Sequence, residues 1–98
     1  MELKWTESAV NDLGCIRDYI AKDSEFYAMR LMERVFHVIE KLTLFPESGR
    51  VVPEIGNVAI RELILMNYRI IYKIDKDFIY ILAIIHGSRD ISNIKLNP

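Results

Sequence analysis

Apolar residues recur at helical spacing in the first half of this 98-residue chain and crowd into near-continuous runs in the second. Leu3-Lys4-Trp5 reads as a short strand. Thr6 follows as a helix N-cap, its hydroxyl free to accept an orphan backbone N–H of the first turn. Val10, Leu13, Ile16 and Ile20 then repeat close to the helical period, which predicts a first helix over residues 7–21. Lys22-Asp23-Ser24 interrupts the pattern, and Asp23 or Ser24 can cap a second helix. Its stripe of Met29, Met32, Val35, Phe36, Ile39, Leu42 and Phe45 runs until Pro46 pushes its neighbour out of the helical region, so this helix is expected over 25–44. Val35, Phe36, Ile39 and Leu42 are its expected core contacts. Val58–Met66, Tyr68–Ile74 and Phe78–Ile85 are rich in Ile, Tyr, Val and Phe and read as strands. Asn67 and Asp75-Lys76-Asp77 separate them. These links are too short for parallel crossovers, so an antiparallel meander follows.

The expected architecture is α+β: an N-terminal strand, an antiparallel helix hairpin, and three strands (β-α-α-β-β-β) in one domain over 1–98. The helices should cover one sheet face and leave the other partly open.

Composition refines this reading. The chain is 51% hydrophobic and 28% charged, enough for a core and against disorder. A net charge of −1 gives no global drive toward nucleic acid or membrane. The N-terminus lacks a basic-then-apolar signal, and no apolar run has the length of a bilayer span, so a cytoplasmic protein without membrane contact is expected. One cysteine, Cys15, excludes an intramolecular disulfide and reads as a small buried thiol. Gly14, mid-helix, suggests close packing of the first helix against a neighbour. His37 lies beside Glu33, Glu40 and Lys41 on a polar helix side, with no second ligand at metal-binding spacing, and no metal is expected. No glycine-rich phosphate loop or serine nucleophile motif is present, and no cofactor is expected.

The chemistry concentrates in the strands. Arg61 and Arg69 sit inside apolar runs, and His86 and Arg89 close the last one. A buried arginine without a partner is costly. By alternation Arg61 shares a face with Leu63 and Leu65, Arg69 with Ile71 and Lys73, and His86 with Leu82 and Ile84. If pairing register brings those faces together, Arg61, Arg69 and His86 converge on one uncovered face, with Glu54 and Arg50 on the loop leading in. Arginines there could neutralise phosphate while a histidine or carboxylate moves a ribose 2′-hydroxyl proton. The plainer reading pairs Arg61 and Arg69 with Glu62, Glu54 or Asp90 as fastenings of the sheet edges.

The order and spacing of several segments resemble the RelE/ParE toxin superfamily of type II toxin–antitoxin modules. They are Trp5-Thr-Glu-Ser-Ala-Val-Asn-Asp-Leu13, Asp18-Tyr-Ile-Ala21, Leu44-Phe-Pro-Glu-Ser-Gly-Arg50, Val52-Pro-Glu54, Ile60-Arg-Glu-Leu63, Tyr68-Arg-Ile-Ile-Tyr72 and Ile85-His-Gly-Ser-Arg-Asp90. The resemblance covers nearly the whole chain and is closer to the ParE branch. It implies a toxin neutralised by a cognate antitoxin, as a homodimer or a toxin–antitoxin hetero-oligomer. It also implies one of two activities: binding of DNA gyrase, as in ParE-like members, or ribosome-dependent mRNA cleavage, as in RelE-like members. An inert relative that keeps only antitoxin binding is a third reading. Under the nuclease reading Glu54, Arg61, Arg69 and His86 are the catalytic candidates. Under the binding reading Arg50, Arg61, Arg69, His86 and Arg89 are the target- or antitoxin-binding candidates. An isoelectric point near 6.1 favours gyrase, since strong positive charge aids entry into the phosphate field of a ribosome.

Overall fold

The computed structural model describes residues 1–92 and 96. Strand β1 (Glu2–Trp5) leads into helix α1 (Glu7–Ala21) and helix α2 (Glu25–Glu40). A single 3₁₀ turn, Lys41–Thr43, ends the helical part before Pro46. Strands β2 (Arg50–Val51), β3 (Ile60–Leu65), β4 (Tyr68–Asp75) and β5 (Phe78–His86) complete an α+β fold. Both expected caps form: Thr6 Oγ1 accepts from Ala9 N–H at 3.1 Å, and Ser24 Oγ accepts from Tyr27 N–H at 3.2 Å.

The sheet order is β1-β5-β4-β3-β2. The β3-β4-β5 meander is antiparallel as expected, but the sheet is mixed, because β1 lies parallel to β5 with Trp5 opposite Ile81. The helix hairpin supplies the long connection that parallel neighbours need. Strand β2, two residues in the loop after Pro46, is additional to the expected elements and pairs antiparallel with β3.

The main core lies between the hairpin and one sheet face. Ala9 and Leu13 from α1, and Leu31, Val35, Ile39 and Leu42 from α2 and its 3₁₀ turn, pack on Ile70, Tyr72, Ile79, Ile81 and Ile84. The buried positions of α2 therefore follow a line through Ala28, Leu31, Val35, Ile39 and Leu42. This line is narrower than the stripe in the sequence. Phe36, expected in the core, is 51% exposed and meets Trp5 at a tilt, with ring centroids 5.8 Å apart and planes at 52°. Val10, Met29 and Phe45 are also exposed. The cause is geometric: the hairpin meets the sheet on one side only, and a band this wide overhangs it. Cys15 is exposed rather than buried. Nothing lies within 4 Å of where a Gly14 side chain would begin, so close packing does not explain that glycine.

The second face is only partly open. Val52, Ile71, Leu82, Ala83, Ile85 and Ile91 form a smaller core there, joined by Ile60, Tyr80 and Leu96. The loop after β2 and the segment after β5 fold back over it. A β-bulge on β5 aids this packing. Ile71 faces Ala83 while Tyr72 faces Ile81, so Leu82 is the extra residue. Leu82 and Ala83 consequently both point to the second face. Thr6 Oγ1 holds the bulge, its single proton shared between the carbonyls of Ile81 (3.0 Å) and Leu82 (3.2 Å). Beyond β1, Asp12 Oδ2 accepts the Ile84 N–H at 3.0 Å, so α1 closes the strand edge that β1 is too short to reach. Burial raises the Asp12 carboxyl above its ordinary range, against the pull of that hydrogen bond and of Arg89.

The Pro46–Arg50 corner is fastened by Tyr72, a fully buried side chain. Its hydroxyl donates to Pro46 O at 2.7 Å and accepts from Gly49 N–H at 2.9 Å. A Cβ on Gly49 would stand 2.6 Å from both the Glu62 carbonyl oxygen and the Tyr72 hydroxyl. Glycine is the residue this approach allows.

Candidate functional site

Register decides which cations meet. Arg50 lies opposite Glu62, Glu62 opposite Ile71, and Ile64 opposite Arg69, so Arg50, Glu62, Ile64 and Arg69 share the second face. Arg61 lies opposite Tyr72 and belongs to the helix-covered face. The expected convergence of Arg61, Arg69 and His86 on one face therefore does not occur. Arg61 is engaged elsewhere, donating from Nε to Val58 O (3.0 Å) and from one terminal nitrogen to Gly49 O (3.0 Å) and Glu47 O (3.4 Å). It fastens the loops on either side of β2 and β3.

Arg69 and Glu62 are both buried, at 6% and 1% exposure. Arg69 Nε donates to Glu62 Oε1 at 2.6 Å, and its two terminal nitrogens donate to the Glu54 carboxylate at 2.7 and 2.9 Å. Arg50 Nε donates to Glu62 Oε2 at 2.6 Å. Two cations and two carboxylates thus form a closed, neutral chain, and every nitrogen of the Arg69 guanidinium is in use. The fork-on-fork contact with Glu54 is the strong geometry for this pair. Hydrogen bonding from Arg69 holds the Glu54 carboxyl down at about 2, and the Arg69 guanidinium moves up in turn.

His86 reaches the same region from the end of β5. The bulge reverses alternation, so His86 shares its face with Ile84 but not with Leu82. Its ring stands edge-on to Tyr68 with centroids 6.1 Å apart. Nδ1 lies 2.7 Å from Ser88 Oγ and accepts from Ser88 N–H at 3.3 Å, which places the neutral ring's proton on Nε2. Gly87 N–H donates to Asn67 O at 2.7 Å, tying this end of β5 to the β3–β4 turn.

An open cavity of about 600 Å³ results, with Arg50, Glu54, Tyr68, Arg69, His86 and Ser88 among its walls. Arg89 does not line it; its charge bears on Asp12. Of the sequence candidates, the fold brings Arg50, Glu54, Arg69 and His86 together and leaves Arg61 and Arg89 apart. In the sequence Glu62 stands only as one possible partner of Arg61 and Arg69. Its signal was a carboxylate alternating with leucines and isoleucines in β3, a placement that only a buried cation makes tolerable.

Chemically, the cavity has donors but little free charge. A carboxyl near 2 is a weak base at neutral pH, and an arginine held on three nitrogens must release Glu54 before it can take a phosphate.

Comparison with known proteins agrees with this fold. Toxin RelE2 of Caulobacter vibrioides is 33% identical over 89 residues, spanning 90% of this chain and 97% of that protein. The putative toxin Y4kP of Sinorhizobium fredii is 34% identical over 88 residues, spanning 87% of this chain and 86% of that protein. A solved structure described as a chromosomal ParDE TA system from P. aeruginosa superposes with a TM-score of 0.72 at 25% identity, covering 88% of this chain and 95% of that one. The family described as the ParE toxin of the type II toxin–antitoxin system, parDE, matches residues 3–91. A fold, two relatives and a family match that agree from β1 to the end of the second core identify the chain: it belongs to the ParE toxin family of type II toxin–antitoxin systems.

Proposed function

We propose that this chain is a ParE-like toxin that inhibits DNA gyrase by binding, with no catalysis of its own, and that a cognate antitoxin neutralises it. The observation that carries the reading is the closed chain Arg50–Glu62–Arg69–Glu54. It occupies the arginine that a nuclease would keep for phosphate and pins the carboxylate that would serve as base. The register that puts Arg61 and Arg69 on opposite faces supports the same view. The antitoxin partner is supported by the family match and by the likeness to a ParDE system.

The runner-up, ribosome-dependent mRNA cleavage, draws on the relative named RelE2 and on His86, which lines the same cavity as Arg50 and Arg69. One pair of assays separates them. The purified chain should block gyrase supercoiling, and translating ribosomes treated with it should give no new cuts by primer extension. His86→Ala should leave the gyrase effect within a few-fold. Codon-positioned cuts that fall by roughly 10²–10⁴-fold in the His86→Ala variant would establish the nuclease instead.

A further inference from the structure

Toward the β4–β5 turn the second face shows two rows of side chains, each crossing β1, β5 and β4. Glu2 lies opposite Phe78 and Phe78 opposite Asp75, an acid–aromatic–acid row. Lys4 lies opposite Tyr80 and Tyr80 opposite Lys73, a base–aromatic–base row one side-chain repeat further along. All six share this face, because Leu3, Ile79 and Ile74 between them belong to the main core. None of the six is buried. Lys4 Nζ stands 4.2 Å from the centre of the Phe78 ring, and the rings of Phe78 and Tyr80 lie 6.1 Å apart at 45°. No ion pair among the described residues uses any of the four charges.

The arrangement of signs is the second observation. A sheet that satisfies itself sets opposite charges side by side across its strands. Here the sign changes along β1 and along β4 but repeats across the sheet, so acids and lysines stand in separate rows about 6.6 Å apart. Such a surface complements its own image in one stacked arrangement. A two-fold axis running along the strands would lay each row on its own copy, acid on acid and lysine on lysine. A two-fold axis running across the strands, midway between the rows, reverses their order. Glu2 then meets the partner's Lys4, Asp75 meets the partner's Lys73, and Phe78 meets the partner's Tyr80. Nucleic acid suits the patch less well, since Glu2 and Asp75 flank Phe78 and repel phosphate.

We propose that this face is where a second copy of the chain docks, sheet against sheet, about the two-fold axis that crosses the strands. Each contact occurs twice, and the dimer closes on itself. Aligned sheets cross at about −30°, and residues about 6 Å from the axis shift by only about 3 Å, within reach of a lysine side chain. Three strands and two rows cover less than the roughly 800 Å² per partner of a standard interface, so the dimer is weak and forms at high concentration. The contact requires neither gyrase nor antitoxin.

Sedimentation equilibrium of the purified chain at low salt, up to about 1 mM, should show a monomer–dimer equilibrium that weakens in about 0.5 M salt. Lys73→Asp should weaken it about tenfold or more, because the axis makes one substitution count twice. Lys73→Asp with Asp75→Lys should restore it, since the exchanged charges meet again across the axis. Lys4→Glu alone, and Lys4→Glu with Glu2→Lys, repeat the comparison on the edge strand should the β4 variants fail to fold by circular dichroism. A chain that stays monomeric throughout would overturn the proposal. So would a dimer that the single reversals leave unchanged, or double exchanges no stronger than the single reversals. An oligodeoxythymidylate bound by a monomer and released by Phe78→Ala would assign the aromatic pair to base stacking instead.

Discussion

Replacing Arg69 by methionine tests the ion chain most directly. The side chains of Arg69 and Glu62 are 7% and 0% exposed, so the 2.6 Å bond between them is made out of water. Removal of one partner from a buried pair costs about 3–5 kcal/mol, because the other charge is left buried. Here the loss should sit near the lower end, about 3 kcal/mol, because Glu62 keeps Arg50 on its second oxygen and Glu54 can turn to solvent. Glu62→Leu should cost less, about 1–3 kcal/mol, since Arg69 retains the bidentate Glu54. The double variant is the decisive measurement. With both buried charges gone, nothing is stranded, and apolar replacements sit against Ile71 and Ile85 on the second face. It should be more stable than Arg69→Met alone, with a coupling of about 0.5–3 kcal/mol between the sites. Urea unfolding followed by circular dichroism gives the four free energies, provided each transition is two-state with a common slope. Strictly additive losses would show that the pair is not coupled and that the chain of four charges does not fasten the loop.

Three further outcomes follow from the same structure. Ile39→Ala, at a site 1% exposed, should lose about 2–5 kcal/mol, whereas Phe36→Ala should stay within about 0.5 kcal/mol, both by denaturant melts. Gly49→Ala should destabilise by about 1–3 kcal/mol, since its methyl meets backbone and a buried hydroxyl at 2.6 Å, and a crystal structure should show the Pro46–Arg50 corner displaced. Glu54 is held at about 2 against an ordinary 4.5, so the stability it contributes is fully present above the ordinary value and is lost as pH falls through 2. Glu54→Gln should therefore flatten the rise of Tm with pH between about 2 and 5, and an unaltered profile would refute the Arg69–Glu54 contact.

Local rules in the sequence determined the elements. Thr6 and Ser24 cap because their hydroxyls reach the first-turn N–H groups, and Pro46 ends the helical part for steric reasons; both act within a few residues. The runs of Ile, Tyr and Val, broken at Asn67 and Asp75–Asp77, likewise specify three strands and their antiparallel order, since the links are too short for anything else. What the sequence could not decide depends on partners far along the chain. β1 pairs parallel with β5 only because the hairpin carries the chain back over the sheet. Burial on α2 narrows to Leu31, Val35 and Ile39, leaving Phe36 outside, because the sheet sets how wide a stripe is covered. One extra residue at Leu82 reverses the alternation that assigned His86 to a face, and the register of β3 on β4 sends Arg61 to one side and Arg69 to the other. Side-chain period in a strand is two, so a shift of one residue exchanges every face. The candidate residues were legible as residue types in the sequence; whether they could act together was a matter of register, which only the folded sheet fixes.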